Sequence, residues 1–267
     1  MTIAVLLAGL AIATGLAKAS PPPLTVVTWN VLGELADAEA RATEVVRVLG
    51  AQKADIIAIQ EASPSLLAKL VSAPWFRDGN YQGIARKRHA VAPLGLYIAS
   101  RYPLSELKIE ALPSMMQRMA LTGTITVGQR AIRFAIVHLD SHLYMGPTRA
   151  RQLDHLRQVL GDGDRLLLGD LNFGDGEPET LLIPPGLDDP WARLNKDAPG
   201  FTWDVVRNPR AKAGCLPGEG SRRLDRVLWA LKGYEARSAS LIGTTPGVDG
   251  GFPSDHFGLR VALHAPP

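Results

Sequence analysis

The chain has 267 residues, of which 46% are hydrophobic and 21% charged. That apolar content supports one large buried core and excludes an intrinsically disordered polymer, which lacks the apolar surface to offset the entropy of ordering. The formal net charge of +3 is compatible with a polyanionic substrate without requiring one, and the single cysteine, Cys215, excludes an intramolecular disulfide.

Residues Ile3 to Leu16 are apolar or small and uncharged, and are followed by Ala17-Lys18-Ala19, Ser20 and three prolines. The run is short for a membrane span, and Ala-x-Ala fits a signal-peptidase site. No Lys or Arg precedes it, so only the terminal amine supplies the positive charge usual there. We expect residues 1–19 to be a signal peptide and residues 20–267 a single exported domain, periplasmic or secreted, monomeric, with no stable membrane span after cleavage. A retained N-terminal anchor is the other reading of the same run.

Beyond the prolines, apolar runs alternate with helical patterns. Leu24 to Thr28 reads as a strand ending at Trp29-Asn30. Ala36 to Leu49 reads as an amphipathic helix, with Val45, Val46 and Leu49 inward and Glu39, Arg41, Glu44 and Arg47 outward. Asp55 to Gln60 reads as a buried strand ending in Gln60-Glu61, and Ser63-Pro64 opens a second helix with Leu66, Leu67 and Leu70 inward. Strand patterns follow at Gly95–Ser100, Met119–Val127 and Ala131–Leu139, with a hairpin turn between the last two.

Pro147 to Leu160 reads as a helix, with Leu153, Leu156 and Leu160 inward and Arg149, Arg151 and Arg157 outward. Arg165 to Leu168 is a short strand before Gly169-Asp170-Leu171-Asn172. The segments Gly174–Gly200 and Ala211–Ser221 read as loops, and Leu224–Ala230 and Phe257–Leu263 as the last strands. Hairpins mixed with strand–helix–strand units predict an α/β domain: two mixed β-sheets packed face to face with helices outside.

Polar residues recur where the apolar runs stop. Asn30, Glu61, His138, Asp170, Asn172, Asp225, Asp255 and His256 each lie at such a point. One polar residue at a strand end is ordinarily a cap or turn residue. So many in one chain, at ends that a layered α/β domain brings to one edge, point to a ligand site. Oxygen ligands without thiols suit a hard cation, Mg²⁺ or Mn²⁺, over zinc. His138 and His142 stand four apart, but His138 closes a strand, which disfavours a zinc-binding helix. Neither a Gly-x-Ser-x-Gly elbow nor a P-loop occurs. Attack of water on phosphorus is the chemistry left. It needs a cation, a carboxylate to orient and deprotonate water, and donors for the developing charge; Glu61, Asp170, Asn30, Asn172 and His256 match in type and number.

Thr28-Trp29-Asn30, Gln60-Glu61, His138-Leu139, Gly169-Asp170-Leu171-Asn172, Arg223-Leu224-Asp225-Arg226 and Ser254-Asp255-His256-Phe257-Gly258 resemble, in order, the motifs of the endonuclease/exonuclease/phosphatase superfamily. Phe201-Thr202-Trp203-Asp204, Gly251 to Leu259, and His138-Leu139-Asp140-Ser141 followed by Arg149 and Gln152-Leu153 are most similar to its tyrosyl-DNA phosphodiesterase branch. The resemblance implies a four-layer α/β sandwich from residue 24 to 264 and Mg²⁺- or Mn²⁺-dependent hydrolysis of a phosphodiester, in DNA or a related nucleic acid. A lipid or small-molecule phosphodiesterase or phosphatase on the same scaffold is the alternative.

The roles implied are these. Glu61, Asn30 and Asp255 serve the metal. Asp170, helped by Asn172, activates water, while His256, oriented by Asp225, donates to the phosphate, with His138 in the same catalytic group. Trp203, Arg149 and Arg223 bind substrate. Two positions depart from the pattern: Leu32 stands where the family commonly has Asp, and Gly174 where the tyrosyl-DNA branch has an Arg. Arg86, Lys87, Arg88 and His89, and separately Arg207, Arg210, Lys212, Arg222 and Arg223, are the basic groups available to a polyanion; the first reads as solvated loop charge.

Overall fold

Alternation along β1 (Leu24–Asn30) divides its side chains between two cores. Leu24 and Val26 enter an apolar layer between two sheets, whereas Val27 and Trp29 face helices. The computed structural model describes residues 21–33, 37–84, 95–247 and 250–266. The expected signal peptide and the run Arg86, Lys87, Arg88 and His89 lie outside these residues.

β1 pairs in parallel with β2 (Ile56–Gln60), placing Asn30 opposite Gln60, and antiparallel with β11 (Gly258–His264). With β3 (Gln82–Ile84), β4 (Tyr97–Ser100) and β10 (Glu235–Ile242), they form a six-stranded sheet in the order β10-β11-β1-β2-β4-β3. The second sheet has five strands in chain order: β5 (Leu104–Ala111), β6 (Met119–Val127), β7 (Arg130–His138), β8 (Arg165–Asp170) and β9 (Asp225–Ala230). β7 and β8 are parallel and set His138 beside Asp170; β8 and β9 are antiparallel and set Asp170 beside Asp225. Gly169 sits at φ 134°, and a Cβ there would lie 2.0 Å from the Val137 carbonyl oxygen, so this close approach of β8 to β7 requires glycine.

Helices α1 (Ala38–Ala51), α2 (Pro64–Ser72) and α3 (Pro74–Asp78) cover the first sheet through Val45, Leu49, Leu66, Leu70 and Phe76. Ser63 caps α2 by accepting from the Leu66 amide, with Pro64 in the first turn. On the outer face of the second sheet, α4 (Gly146–Leu160) packs Leu153, Leu156 and Leu160 against Val137 and Leu167. Helices, sheet, sheet, helix is the four-layer sandwich expected from the motif order. Among the described residues no helix is long and apolar enough to cross a membrane.

The structure adds to the sequence reading and corrects it. β3, β5 and β10 had not been expected. The segment Gly174–Gly200, read as a loop, holds a 3₁₀ turn at Pro178–Leu182 and α5 (Pro190–Leu194), and α6 (Pro209–Gly214) runs into the loop expected from Ala211. Arg41 and Arg149, read as outward charges, are buried at 4% and 0% exposure.

Candidate active site

The two central sheets meet at one edge, and parity decides what they present there. Asn30 continues the inward series Leu24, Val26; His138 continues Ile132, Phe134, Ile136; Asp170 continues Leu166, Leu168; and Asp225 precedes Val227 and Trp229. The period of two therefore turns four polar side chains from both sheets into the seam where the apolar layer ends. A cleft of about 210 Å³ opens above them, lined by Asn30, Glu61, His138, Asp170, Asn172, Trp203, Asp255 and His256. Asp225 lies fully buried below His256.

Asp170 is the centre. Its Oδ1 accepts from the Asn172 amide at 2.9 Å, and its Oδ2 accepts from Asn30 Nδ2 at 3.1 Å. His138 Nε2 lies 3.4 Å and His256 Nε2 3.8 Å from the same Oδ2. A carboxylate facing donors from several directions is held in one orientation. Asn172 stands at φ 57°, with its side chain donating to the Leu139 carbonyl at 2.9 Å.

The two histidines are in opposite states. Burial pushes the His138 imidazole down to about 3, with help from Arg118 and against the pull of Asp170. Arg118 Nη1 lies 3.0 Å from His138 Nδ1, and because a guanidinium only donates, the ring proton sits on Nε2, toward Asp170. Burial also opposes charge on His256, but Asp225 and Asp170 outweigh it and hold that imidazole well above its usual value. His256 Nδ1 donates to Asp225 Oδ2 at 2.7 Å. Thr202 Oγ1 accepts from the Leu224 and Asp225 amides, fixing the turn that carries this aspartate. The Trp203 ring meets His256 edge-on at 5.1 Å, forming an apolar wall.

The oxygen donors fit a hard cation on the opposite side of Asp170. Glu61 stands at φ 58° and is partly open to the cleft, with its side chain 29% exposed. It accepts from Asn30 Nδ2 at 3.0 Å and from the Gly33 amide at 2.8 Å. Asn30 Oδ1 accepts from the Leu32 amide at 3.1 Å, which leaves one lone pair. Asp255 also lines the cleft; burial raises its carboxyl above the ordinary range, His256 pulls it back and Glu61 raises it further. Partly desolvated carboxylates facing one cleft are what a bound cation relieves. Asp170, Asp225 and His256 also cluster closely enough to hold an ion. A histidine hydrogen-bonded to an aspartate and charged has no lone pair to give, so we assign the cation to the Glu61 side.

Arg149 and Arg223, expected to bind substrate, are not brought into the cleft. Arg149 donates to Glu179 at 2.9 Å and to the Asp140 and His142 carbonyls. Arg223 donates to Asp175 and Asp189, with Arg226 sharing both carboxylates. Both arginines are buried with their donors spent inside the protein, so each is a structural cross-link. Arg222 does line the cleft, although Glu177 and Glu219 engage its guanidinium. It packs 3.4 Å from where a Cβ on Gly174 would be, so an arginine side chain still borders that departure from the pattern.

Two residues that the sequence reading did not place at the site support it. Arg118 carried no signal in the sequence. Arg41 did, since it precedes Val45 and Leu49 at helical spacing on the buried stripe of α1. It donates to the carbonyls of Val31, Leu32, Gly33 and Pro253, holding the loop whose Gly33 amide binds Glu61.

An α/β sandwich with an oxygen-rich, hydrogen-bonded cleft at the shared edge of its sheets is a setting that can hold a hard cation and a water molecule side by side. The chain belongs to the Endonuclease/Exonuclease/phosphatase family, whose profile matches residues 27–256. It is similar to tyrosyl-DNA phosphodiesterase 2 of Xenopus laevis, with 27% identity over 247 residues, covering 88% of this chain and 65% of that protein, just under two thirds of its length. Its fold matches D. rerio TDP2 complexed with single strand DNA product, at TM-score 0.78 and 23% identity, covering 91% of this chain and 99% of that one. It also matches sphingomyelinase C from Streptomyces griseocarneus, at TM-score 0.65 and 19% identity, covering 92% and 100%. At these identities the structural likenesses establish the fold.

Proposed function

We propose that the protein is a divalent-metal-dependent phosphodiesterase that hydrolyses phosphodiester bonds in DNA or a related nucleic acid. The observation that carries this reading is the single Asp170 carboxylate held at the seam of the two sheets by Asn30 and Asn172, with His138 and His256 facing it from either side. Similarity to tyrosyl-DNA phosphodiesterase 2, and to a fold solved with a single strand DNA product, supports the nucleic-acid substrate.

In this reading Asp170 orients water and takes its proton as the water oxygen bonds to phosphorus, and the P–O bond to the leaving alcohol breaks, its oxygen taking up a proton from solvent. The His256 imidazolium, kept charged by Asp225, donates to a phosphoryl oxygen and balances charge that grows toward the transition state. Such preorganised donors are each worth about 10²–10³ in rate. His138 directs Nε2–H into the same space, and Trp203 excludes water from one wall. Glu61, Asn30 and Asp255 would hold Mg²⁺ or Mn²⁺, which polarises phosphate oxygens when bound.

Purified protein with Mg²⁺ should cleave single- or double-stranded DNA, a 5′-phosphotyrosyl oligonucleotide or an aryl phosphodiester, and Asp170→Ala should abolish the cleavage. Retained cleavage in excess EDTA, or by the variant, would count decisively against the mechanism. Cleavage of sphingomyelin but not DNA would select the lipid reading that the sphingomyelinase fold permits. We further propose export of the chain, supported by the apolar run Ile3–Leu16 before Ala17-Lys18-Ala19. N-terminal sequencing of the processed protein should begin at Ser20, and an intact Met1 in the exported fraction would refute cleavage.

A further inference from the structure

The chemistry above leaves unused a pair of rings at the mouth of the cleft. His142 lines the cleft beside Ser141. Its imidazole lies nearly parallel to the Tyr144 phenol, with centroids 5.5 Å apart and planes 12° from one another. Tyr144 is 72% exposed, so with one ring face toward His142 the other is open. The backbone of His142 is at φ 70° and ψ 144°, a combination otherwise left to glycine. Two hydrogen bonds impose it: Arg149 Nη1 and the Met145 amide both donate to the His142 carbonyl, at 2.7 and 3.2 Å. Arg149 is itself buried and anchored on Glu179. A glycine would make this turn freely. The chain instead holds a histidine in it, and the outcome is a ring presented at the cleft.

We propose that His142 and Tyr144 form a stacking step that receives a nucleobase of a single-stranded nucleic acid next to the phosphate being cleaved. The inference rests on the nucleic-acid reading above and names a feature that the substrate must carry. Two nearly parallel, stacked rings with polar edges match a flat heteroaromatic partner, and stacking tolerates any base because every base has a π-face. The cleft side of the step is polar, with Ser141, Asn172, Glu219 and Arg222. That suits a base joined to a sugar–phosphate backbone better than an acyl chain. Leu143, between the two rings in sequence and 48% exposed, is the feature a lipid surface would use instead.

The test compares kcat/KM, with Mg²⁺, on a single-stranded oligonucleotide and on an abasic oligonucleotide of equal length. The full chain should prefer the base-bearing strand by about tenfold, the scale of one stacked base. Tyr144→Ala should bring that ratio near one and Tyr144→Phe should restore it, with the thermal midpoint of both variants unchanged because the side chain is exposed. A ratio near one in the starting protein, or one that survives Tyr144→Ala, overturns the proposal while leaving the nucleic-acid reading intact. Loss of binding to phosphatidylcholine vesicles in Tyr144→Ala with an unaltered ratio also overturns it and assigns the step to lipid. Cleavage of bis(p-nitrophenyl) phosphate with no cleavage of either oligonucleotide overturns both readings together.

Discussion

Asn30 and Asp170 belong to different sheets, and the Asn30 amide donates to Asp170 Oδ2 across the seam at 3.1 Å. The same amide nitrogen donates to Glu61 Oε1 at 3.0 Å, so one side chain spaces the carboxylate that acts on water from the one assigned to the cation. Asn30→Ala should lower kcat by about 10²-fold, the scale of a lost preorganised donor. Asn30→Asp should not rescue it, because a third acid would repel the other two. Steady-state rates at saturating Mg²⁺ check this; a fully active Asn30→Ala would show that the spacing is irrelevant.

If Glu61 carries the cation, its neutral isostere should weaken metal binding before it alters the chemistry. Glu61→Gln should raise the half-saturating Mg²⁺ concentration by about tenfold or more, in line with losing one charged ligand. Titration calorimetry with Mn²⁺ reads the same loss without turnover. An unchanged metal affinity would move the site to Asp170, Asp225 and His256.

Arg41 acts on that ligand at one remove. It grips the carbonyls of Val31, Leu32 and Gly33, and Gly33 in turn donates to Glu61. Arg41→Met should weaken Mn²⁺ binding, and Arg41→Lys should recover only part of it, since an ammonium cannot span four carbonyls as the planar fork does. A purely structural role predicts a lower unfolding midpoint with normal Mn²⁺ affinity in the folded fraction.

Asp175 supplies a pH dependence of stability. Burial opposes its charge, but Arg223 and Arg226 more than offset this and hold its carboxyl below the usual range. A depressed folded-state value stabilises the protein above the unfolded value of about 3.9, and the contribution fades as pH falls through the folded one. The wild-type midpoint should therefore drop between about pH 5 and pH 3. Asp175→Asn should be less stable at neutral pH and lose less over the same interval. Thermal scans against pH compare the two slopes, and parallel curves would rule the linkage out.

Much of this was legible in the sequence because the informative residues terminate apolar runs. Asn30, Glu61, His138, Asp170 and the Asp255-His256 pair could be found from where hydrophobicity stops, and the motif order then joined them. The missed strands β3, β5 and β10 share one physical property: each is at the rim of its sheet. A rim strand exposes an edge and often a face, so β5, reading Leu-Ser-Glu-Leu-Lys-Ile-Glu-Ala, lacks the apolar density that marks a central strand. The arginines were misread for a different reason. Nothing local distinguishes an arginine facing a cleft from one satisfied by a carboxylate far along the chain, as Glu179 satisfies Arg149 and as Asp175 and Asp189 satisfy Arg223. Arg118 reaches His138 only because strands β6 and β7 pair, which no local pattern encodes.

β11 lies between β10 and β1 in the first sheet, and His256 stands two residues before it in the chain. Without β11 the first sheet is interrupted beside β1, and without His256 the buried Asp225 side chain loses its hydrogen-bond partner. Sheet and cleft therefore both depend on the one stretch 256–264, although β1, its neighbour in space, comes from the opposite part of the described chain.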